Sequence, residues 1–127
     1  MRLDHPAMYV NDLEGARTFF ETYFGAAPNN LYHNPKSGFS SYFLSFPDGG
    51  RLELMNHPAV SDLPKGQMNT GYTHIAFAVE SREEVDELAA RLKAGGYEIL
   101  SGPRLAGPGC YECRVLGFED NLVDIIF

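Results

Sequence analysis

Apolar and polar positions alternate along the chain in two successive cycles. Leu3 to Val10 reads as a strand, with Leu3, His5, Ala7 and Tyr9 on one face and the remaining positions on the other. Asn11 or Asp12 then offers a helix N-cap, and Leu13–Phe24 has helical spacing. Ala16, Phe19, Phe20, Tyr23 and Phe24 form the expected buried stripe, and Gly25 ends the helix. A polar, turn-rich stretch over 29–38 contains a short strand near Leu31 to His33. Phe39 to Phe46 is predicted as a strand, Pro47-Asp48-Gly49-Gly50 as a turn, and Arg51 to Asn56 as the next strand.

After an aperiodic stretch from His57 to Gly71 the same order returns. Tyr72 to Val79 reads as a strand. Ser81-Arg82-Glu83-Glu84 fits a capping box, and Val85, Leu88, Ala89 and Leu92 give the following helix its apolar face. Gly95-Gly96 stops it. Tyr97 to Leu100 is predicted as a strand and Gly102 to Gly109, with two prolines, as a loop. Cys110 to Phe118 and Leu122 to Phe127 are the last strands, joined by a turn at Glu119-Asp120-Asn121. Both halves therefore read strand–helix–strand–strand–strand, an internal repeat. The expected fold class is α+β: a single domain over 1–127, with module one at about 1–56, a linker at about 57–71 and module two at about 72–127. One helix covers one face of each four-stranded sheet, so the other face needs an equivalent sheet from the same chain or a second copy.

The repeat carries chemistry. His5 and His74 occupy matching places in the two first strands, and Glu53 and Asp124 matching places in the two last ones. Two imidazoles and two carboxylates so disposed are a candidate divalent-metal site. The histidine-bearing faces also carry Ala7, Ala76 and Ala78, small neighbours that leave room for a metal, water and a ligand. His33 and His57 sit among polar turn residues and read as solvated loop histidines. Phe39, Tyr42, Phe43 and Phe46 read as strand aromatics of the core.

Composition narrows the function classes. Net charge is −7 and no basic run occurs, which argues against nucleic acid as a partner. No apolar run has the length of a membrane span. The N-terminus enters a strand pattern without an apolar leader, so a cytoplasmic location is expected. Cys110 and Cys113 form one Cys-x-x-Cys, but on a strand they face opposite sides and read as ordinary reduced thiols.

Several of these segments together resemble the vicinal oxygen chelate superfamily, also called the glyoxalase/bleomycin resistance/dioxygenase superfamily. They are Leu3-Asp4-His5 with Tyr9-Val10-Asn11-Asp12-Leu13, Phe19-Phe20 to Phe24-Gly25, Leu52-Glu53-Leu54, Thr73-His74-Ile75-Ala76-Phe77 and Asp120-Asn121-Leu122-Val123-Asp124. The resemblance implies paired βαβββ modules whose curved sheets enclose a metal cleft. Small bacterial glyoxalase I enzymes are the nearest in pattern. By that analogy the metal ligands are His5, Glu53, His74 and Asp124, with Glu53 and Asp124 as the carboxylates that move a proton while the metal chelates the vicinal oxygens of an enediolate. The implied cofactor is a divalent ion, with Zn, Ni, Mn, Co and Fe all compatible. The implied partners are a small-molecule substrate, such as a glutathione adduct, and a second copy of the chain in a homodimer.

Two residues depart from glyoxalase I. Asp124 stands where that enzyme usually has Glu, and Tyr9 where it tends to place an arginine for glutathione's carboxylate. Other readings are a dioxygenase, a thiol transferase or an epimerase of the superfamily, or a metal-free drug-binding resistance protein.

Overall fold

The computed structural model describes residues 1–127. The chain divides into two compact units, Met1–Leu63 and Pro64–Phe127. No helix is long and apolar enough to cross a membrane.

In the first unit, β1 (Ala7–Tyr9) leads into α1 (Leu13–Phe24), followed by β2 (Ala27–Pro28), β3 (Tyr32–His33), β4 (Ser40–Ser45) and β5 (Arg51–Asn56). The sheet order is β1-β5-β4-β2, with β3 also on β4. The Asp12 side chain caps α1 by accepting from the Gly15 amide at 2.9 Å. Gly25 closes the helix in the left-handed region, at φ 64°, a conformation glycine adopts without Cβ strain. Asn56 donates from its side-chain amide to the carbonyls of Val10 and Asn11, pinning the chain where it leaves β1.

Parity sorts the sheet's two faces. Val10, Leu52, Leu54, Tyr42 and Leu44 are buried against Ala16, Phe19 and Phe20 of α1. Tyr23 and Phe24, expected in the same stripe, are only half-buried, because the stripe runs out at the helix end. Tyr42 donates from its hydroxyl to Glu14 of α1 at 2.6 Å. That carboxylate pushes the tyrosine pKa upward, with burial as the second cause.

The second unit has β6 (His74–Ala78), α2 (Arg82–Ala94), β7 (Glu98–Ala106), β8 (Cys110–Leu116) and β9 (Leu122–Ile126), in sheet order β6-β9-β8-β7. Ser81 accepts from the Glu84 amide at 3.1 Å, half of the expected capping box. Glu84 reaches back to the amide of Glu80 rather than to that of Ser81. The core holds Val85, Leu88, Ala89 and Leu92 of α2 under Cys113, Val115, Val123 and Ile125. Tyr111 of β8 donates to Asp86 of α2 at 2.8 Å, so each helix is tied to its sheet by a tyrosine–carboxylate bond.

The loop expected over Gly102–Gly109 is corrected by the structure. β7 runs on to Ala106, and only the tip between β7 and β8 turns. The two prolines of this segment suggest a loop, but β7 is an edge strand, where proline is tolerated, and the ladder absorbs Gly102-Pro103 as register shifts between Ile99 and Arg104. Gly102 sits at φ 83°, and a Cβ there would lie 2.3 Å from the Glu112 carbonyl oxygen. The first-strand boundaries shift as well. β1 begins at Ala7 and β6 at His74, so His5 stands just ahead of its strand and His74 opens its own. The Ala27–Pro28 strand has too few residues to show a period and is legible only through its pairing with β4.

The two cysteines are free and face opposite sides of β8, as their spacing requires. Burial first, then the Asp124 and Asp86 charges, pushes the Cys113 thiol up to about 11. Between its ordinary value near 9 and about 11 the folded chain keeps a proton that the unfolded chain has released. Stability is therefore expected to fall as pH rises through that window, and to be unaffected by this group below it. Urea titrations across the range should show a shallower fall in Cys113→Ala than in the parent protein.

Candidate metal centre

The two histidine–acid pairs are built by the same local construction. β1 pairs parallel to β5 with Ala7 opposite Glu53, and β6 pairs parallel to β9 with Ala76 opposite Asp124. Each histidine lies two positions before the alanine that faces the acid. In a strand that spacing puts both side chains on one face, away from the helix. His5 Nε2 lies 3.5 Å from Glu53 Oε2, and His74 Nε2 lies 3.4 Å from Asp124 Oδ2. The structure thus brings His5 to Glu53 in the first unit and His74 to Asp124 in the second. The structure does not gather three or more His, Cys, Asp or Glu side chains into a group that could hold a metal ion, so the expected set of four is seen only as two separate pairs.

The surroundings of the two pairs differ. In the first, Asp4 Oδ2 lies 2.7 Å from His5 Nδ1. A carboxylate only accepts, so Nδ1 donates in this contact and Nε2 is the ring nitrogen turned toward Glu53. The bond from His5, with the charge of Arg51 behind it, holds Asp4 below the usual carboxylate range. Phe43, opposite Glu53 on β4, meets the His5 ring edge-on at 4.8 Å between centroids, with the Arg51 guanidinium over its own ring at 4.5 Å. Of the aromatics assigned to the core, Tyr42 is there, whereas Phe43 is on the opposite face and walls the His5–Glu53 pair.

In the second pair the residue opposite the acid is Arg114. Its Nε and Nη2 donate to the two oxygens of Asp124 at 2.7 and 2.6 Å, a bidentate clamp on a buried carboxylate. Hydrogen bonding to Asp124 raises the Arg114 pKa beyond its already high value, outweighing the opposing effect of burial. The same Nη2 lies 3.4 Å from His74 Nδ1, which also contacts Thr73 Oγ1 at 2.8 Å.

Donor chemistry tests each pair against a cation. His5 Nε2 and a Glu53 carboxylate oxygen converge at 3.5 Å, a nitrogen and an anionic oxygen of the types that a divalent ion takes as ligands. His5 and Glu53 fit a metal, with Asp4 as the outer hydrogen-bond partner that metal-bound histidines commonly have. His74 offers an imidazole nitrogen in the second unit. Asp124 has both oxygens engaged by a cation of the protein's own. His33 and His57 serve local structure: His33 Nδ1 pairs with Ser40 Oγ at 2.7 Å, and His57 Nδ1 accepts from the Ala59 amide at 3.0 Å. Asp4, Phe43 and Arg114 were not among the expected site residues. Adjacency to His5 marks Asp4, but Phe43 and Arg114 are identified only by cross-strand register.

Residues 2–121 match the family described as the glyoxalase/bleomycin resistance protein/dioxygenase superfamily. The chain belongs to that superfamily, and its mixed α+β architecture of two sheets, each with one helix, is that fold. It is similar to a protein described as uncharacterized from Pseudomonas aeruginosa, with 26% identity over 125 residues, 98% of this chain and 87% of that one. Among solved structures it is similar to a glyoxalase family protein from Bacillus cereus, with TM-score 0.85 and 22% identity over 99% of this chain and 93% of that one. It is also similar to the fosfomycin resistance protein FosX from Listeria monocytogenes, solved with Mn(II) and sulfate ion, with TM-score 0.71 and 24% identity over 98% and 90% of the two chains.

Proposed function

We propose that this protein is a divalent-metal-dependent enzyme of its superfamily, a lyase or isomerase resembling glyoxalase I. The observation that carries the reading is the His5–Glu53 pair, in which Nε2 and a carboxylate oxygen converge at 3.5 Å while Asp4 engages Nδ1. The cation is held by His5, Glu53 and His74, with Asp124 the candidate fourth ligand. His74 comes from the same chain or from a second copy in a homodimer. When bound, the ion supplies Lewis-acid stabilisation to negative charge developing on adjacent oxygens of a small substrate. Glu53 is the better placed of the two acids to accept and return a proton, because Asp124 is held at both oxygens by Arg114. Tyr9, half-exposed on the His5 side of β1, supplies no positive charge for a glutathione carboxylate. Glutathione adducts are therefore one substrate class to test rather than the assumed one.

The experiment is to load purified protein separately with Ni²⁺, Zn²⁺, Mn²⁺ and Co²⁺ and to follow isomerisation of the methylglyoxal–glutathione hemithioacetal. Turnover that depends on the metal and disappears in Glu53→Gln supports the lyase reading. Metal binding without turnover directs the search to the dioxygenase, transferase and epimerase chemistries of the superfamily, with Mn²⁺ a sensible first ion given the FosX relative. A protein that takes up none of these ions would favour a metal-free binding role.

A further inference from the structure

The second unit holds a cavity that neither histidine–acid pair uses. Its volume is about 490 Å³, and every residue lining it lies between Lys65 and Leu122, inside that unit. That is an ordinary size for a small-molecule pocket. The floor includes Leu116 and Leu122, cross-strand partners on β8 and β9. Their neighbours Val115 and Val123 are buried in the core under α2, so the two leucines face the other side of the sheet. One wall is the stretch ahead of β6, with Gln67, Asn69 and Thr73. The other is the β8–β9 turn, with Asp120 and Asn121.

The two walls are fastened together. Lys65 Nζ donates to the Glu119 carbonyl at 2.5 Å. Asn121 gives its side-chain NH₂ to the Phe118 carbonyl at 2.9 Å, which leaves its own Oδ1 as an acceptor. The turn itself is held in a region that side chains disfavour, with Glu119 at φ 49° and Asp120 at φ 60°. Glycine would take the Asp120 position without that strain, but the lining would then lose its carboxylate. The side chains of Gln67, Asn69 and Asp120 take no part in the protein's own hydrogen bonds or ion pairs.

Charge and donor type select the ligand. Lys65 and Asp120 are the two charged side chains of the lining, and they cancel, so neither an anion nor a cation is favoured. The other polar groups are largely amides and hydroxyls, which donate and accept as a ligand's hydroxyls do. A carboxylate accepts from two adjacent hydroxyls at once. The leucines suit the C–H face of the same molecule, and Tyr72, fully exposed, adds an aromatic ring to the lining. We propose that this cavity binds a small uncharged polyhydroxy molecule, a sugar or a polyol. Asp120 accepts from adjacent hydroxyls, Gln67 and Asn69 complete their hydrogen bonds, and Leu116 and Leu122 lie beneath. Thr73 Oγ1 contacts His74 Nδ1 at 2.8 Å, which links an occupant to that imidazole. The site needs no metal and stands apart from the reading above.

An NMR titration of isotope-labelled protein, with a chelator present throughout, tests it. The probes are D-glucose, D-xylose and sorbitol, each taken to tens of millimolar, beside inorganic phosphate as an anion and putrescine as a cation. The side-chain amide signals of Gln67 and Asn69 are expected to move saturably with at least one of the three polyhydroxy probes and with neither ion. Asp120→Gly is expected to bind that probe at least tenfold more weakly, with a urea midpoint no lower than that of the parent protein. The Gln67→Ala, Asn69→Ala double variant, altered only at exposed side chains, is expected to lose a similar factor. Saturable shifts with phosphate or putrescine alone would overturn the uncharged class. No saturable shift with any probe, or parent-level binding in both variants, would overturn the site. None of these results bears on the metal reading, because no free metal is present.

Discussion

Glu53→Gln is expected to weaken Mn²⁺ or Co²⁺ binding by roughly a hundredfold or more, about 2.7 kcal/mol, with little change in folding stability. Glu53 is polar, only partly buried and on the sheet face away from α1, so the substitution removes a charge without opening a hole in the core. The amide keeps the shape and loses the anionic oxygen that converges with His5 Nε2. It also offers an NH₂ that can donate to that nitrogen, occupying the lone pair a metal would use. Calorimetric titration of the metal beside a urea melt separates the two effects. A hundredfold loss with an unchanged urea midpoint identifies Glu53 as a ligand. An unchanged metal affinity would remove it from the site.

Gly102→Ala is expected to cost about 3 kcal/mol or more of stability, among the larger effects a single added methyl can have. Two independent causes meet at this residue. Its φ of 83° lies where L side chains are strained, and the new Cβ would overlap the backbone carbonyl of Glu112 at 2.3 Å. That carbonyl cannot rotate away, because it is main chain in the β7–β8 ladder. Gly107→Ala is the matched control: its φ is also positive, at 64°, but nothing lies within 4 Å of the added atom, so only the backbone strain of about 1 kcal/mol remains. With a urea m-value of about 1–3 kcal/mol/M, the Gly102 variant should lose at least ~1 M in midpoint and its control less than half as much. Equal losses would refute the steric part of this explanation.

Legibility in the sequence follows how local each determinant is. The ends of α1 and α2 are set by Asp12, Gly25 and Ser81, residues that act within a helical turn, and they were readable. The His–acid pairing was readable because it recurs: each histidine and each acid has a counterpart in the other half, and strand parity then gives the face. β7 was misread because Gly102-Pro103 looks like a loop until its place at the sheet edge is known. The Arg114–Asp124 clamp depends on which residues the β8–β9 ladder sets opposite each other, and composition and periodicity carry no record of that. The same holds for Phe43, whose strand position fits a core aromatic equally well until register places it beside His5.

Metal content is the most direct test of the proposed function. Protein purified without chelators and dialysed against metal-free buffer would be compared with His5→Ala and His74→Ala by elemental analysis. One divalent ion per chain in the parent protein, lost from both variants, is the expected result and would tie the two half-sites to a single cation. Parent protein that retains no divalent ion and binds none more tightly than millimolar would contradict a metal-dependent enzyme built on His5, Glu53 and His74.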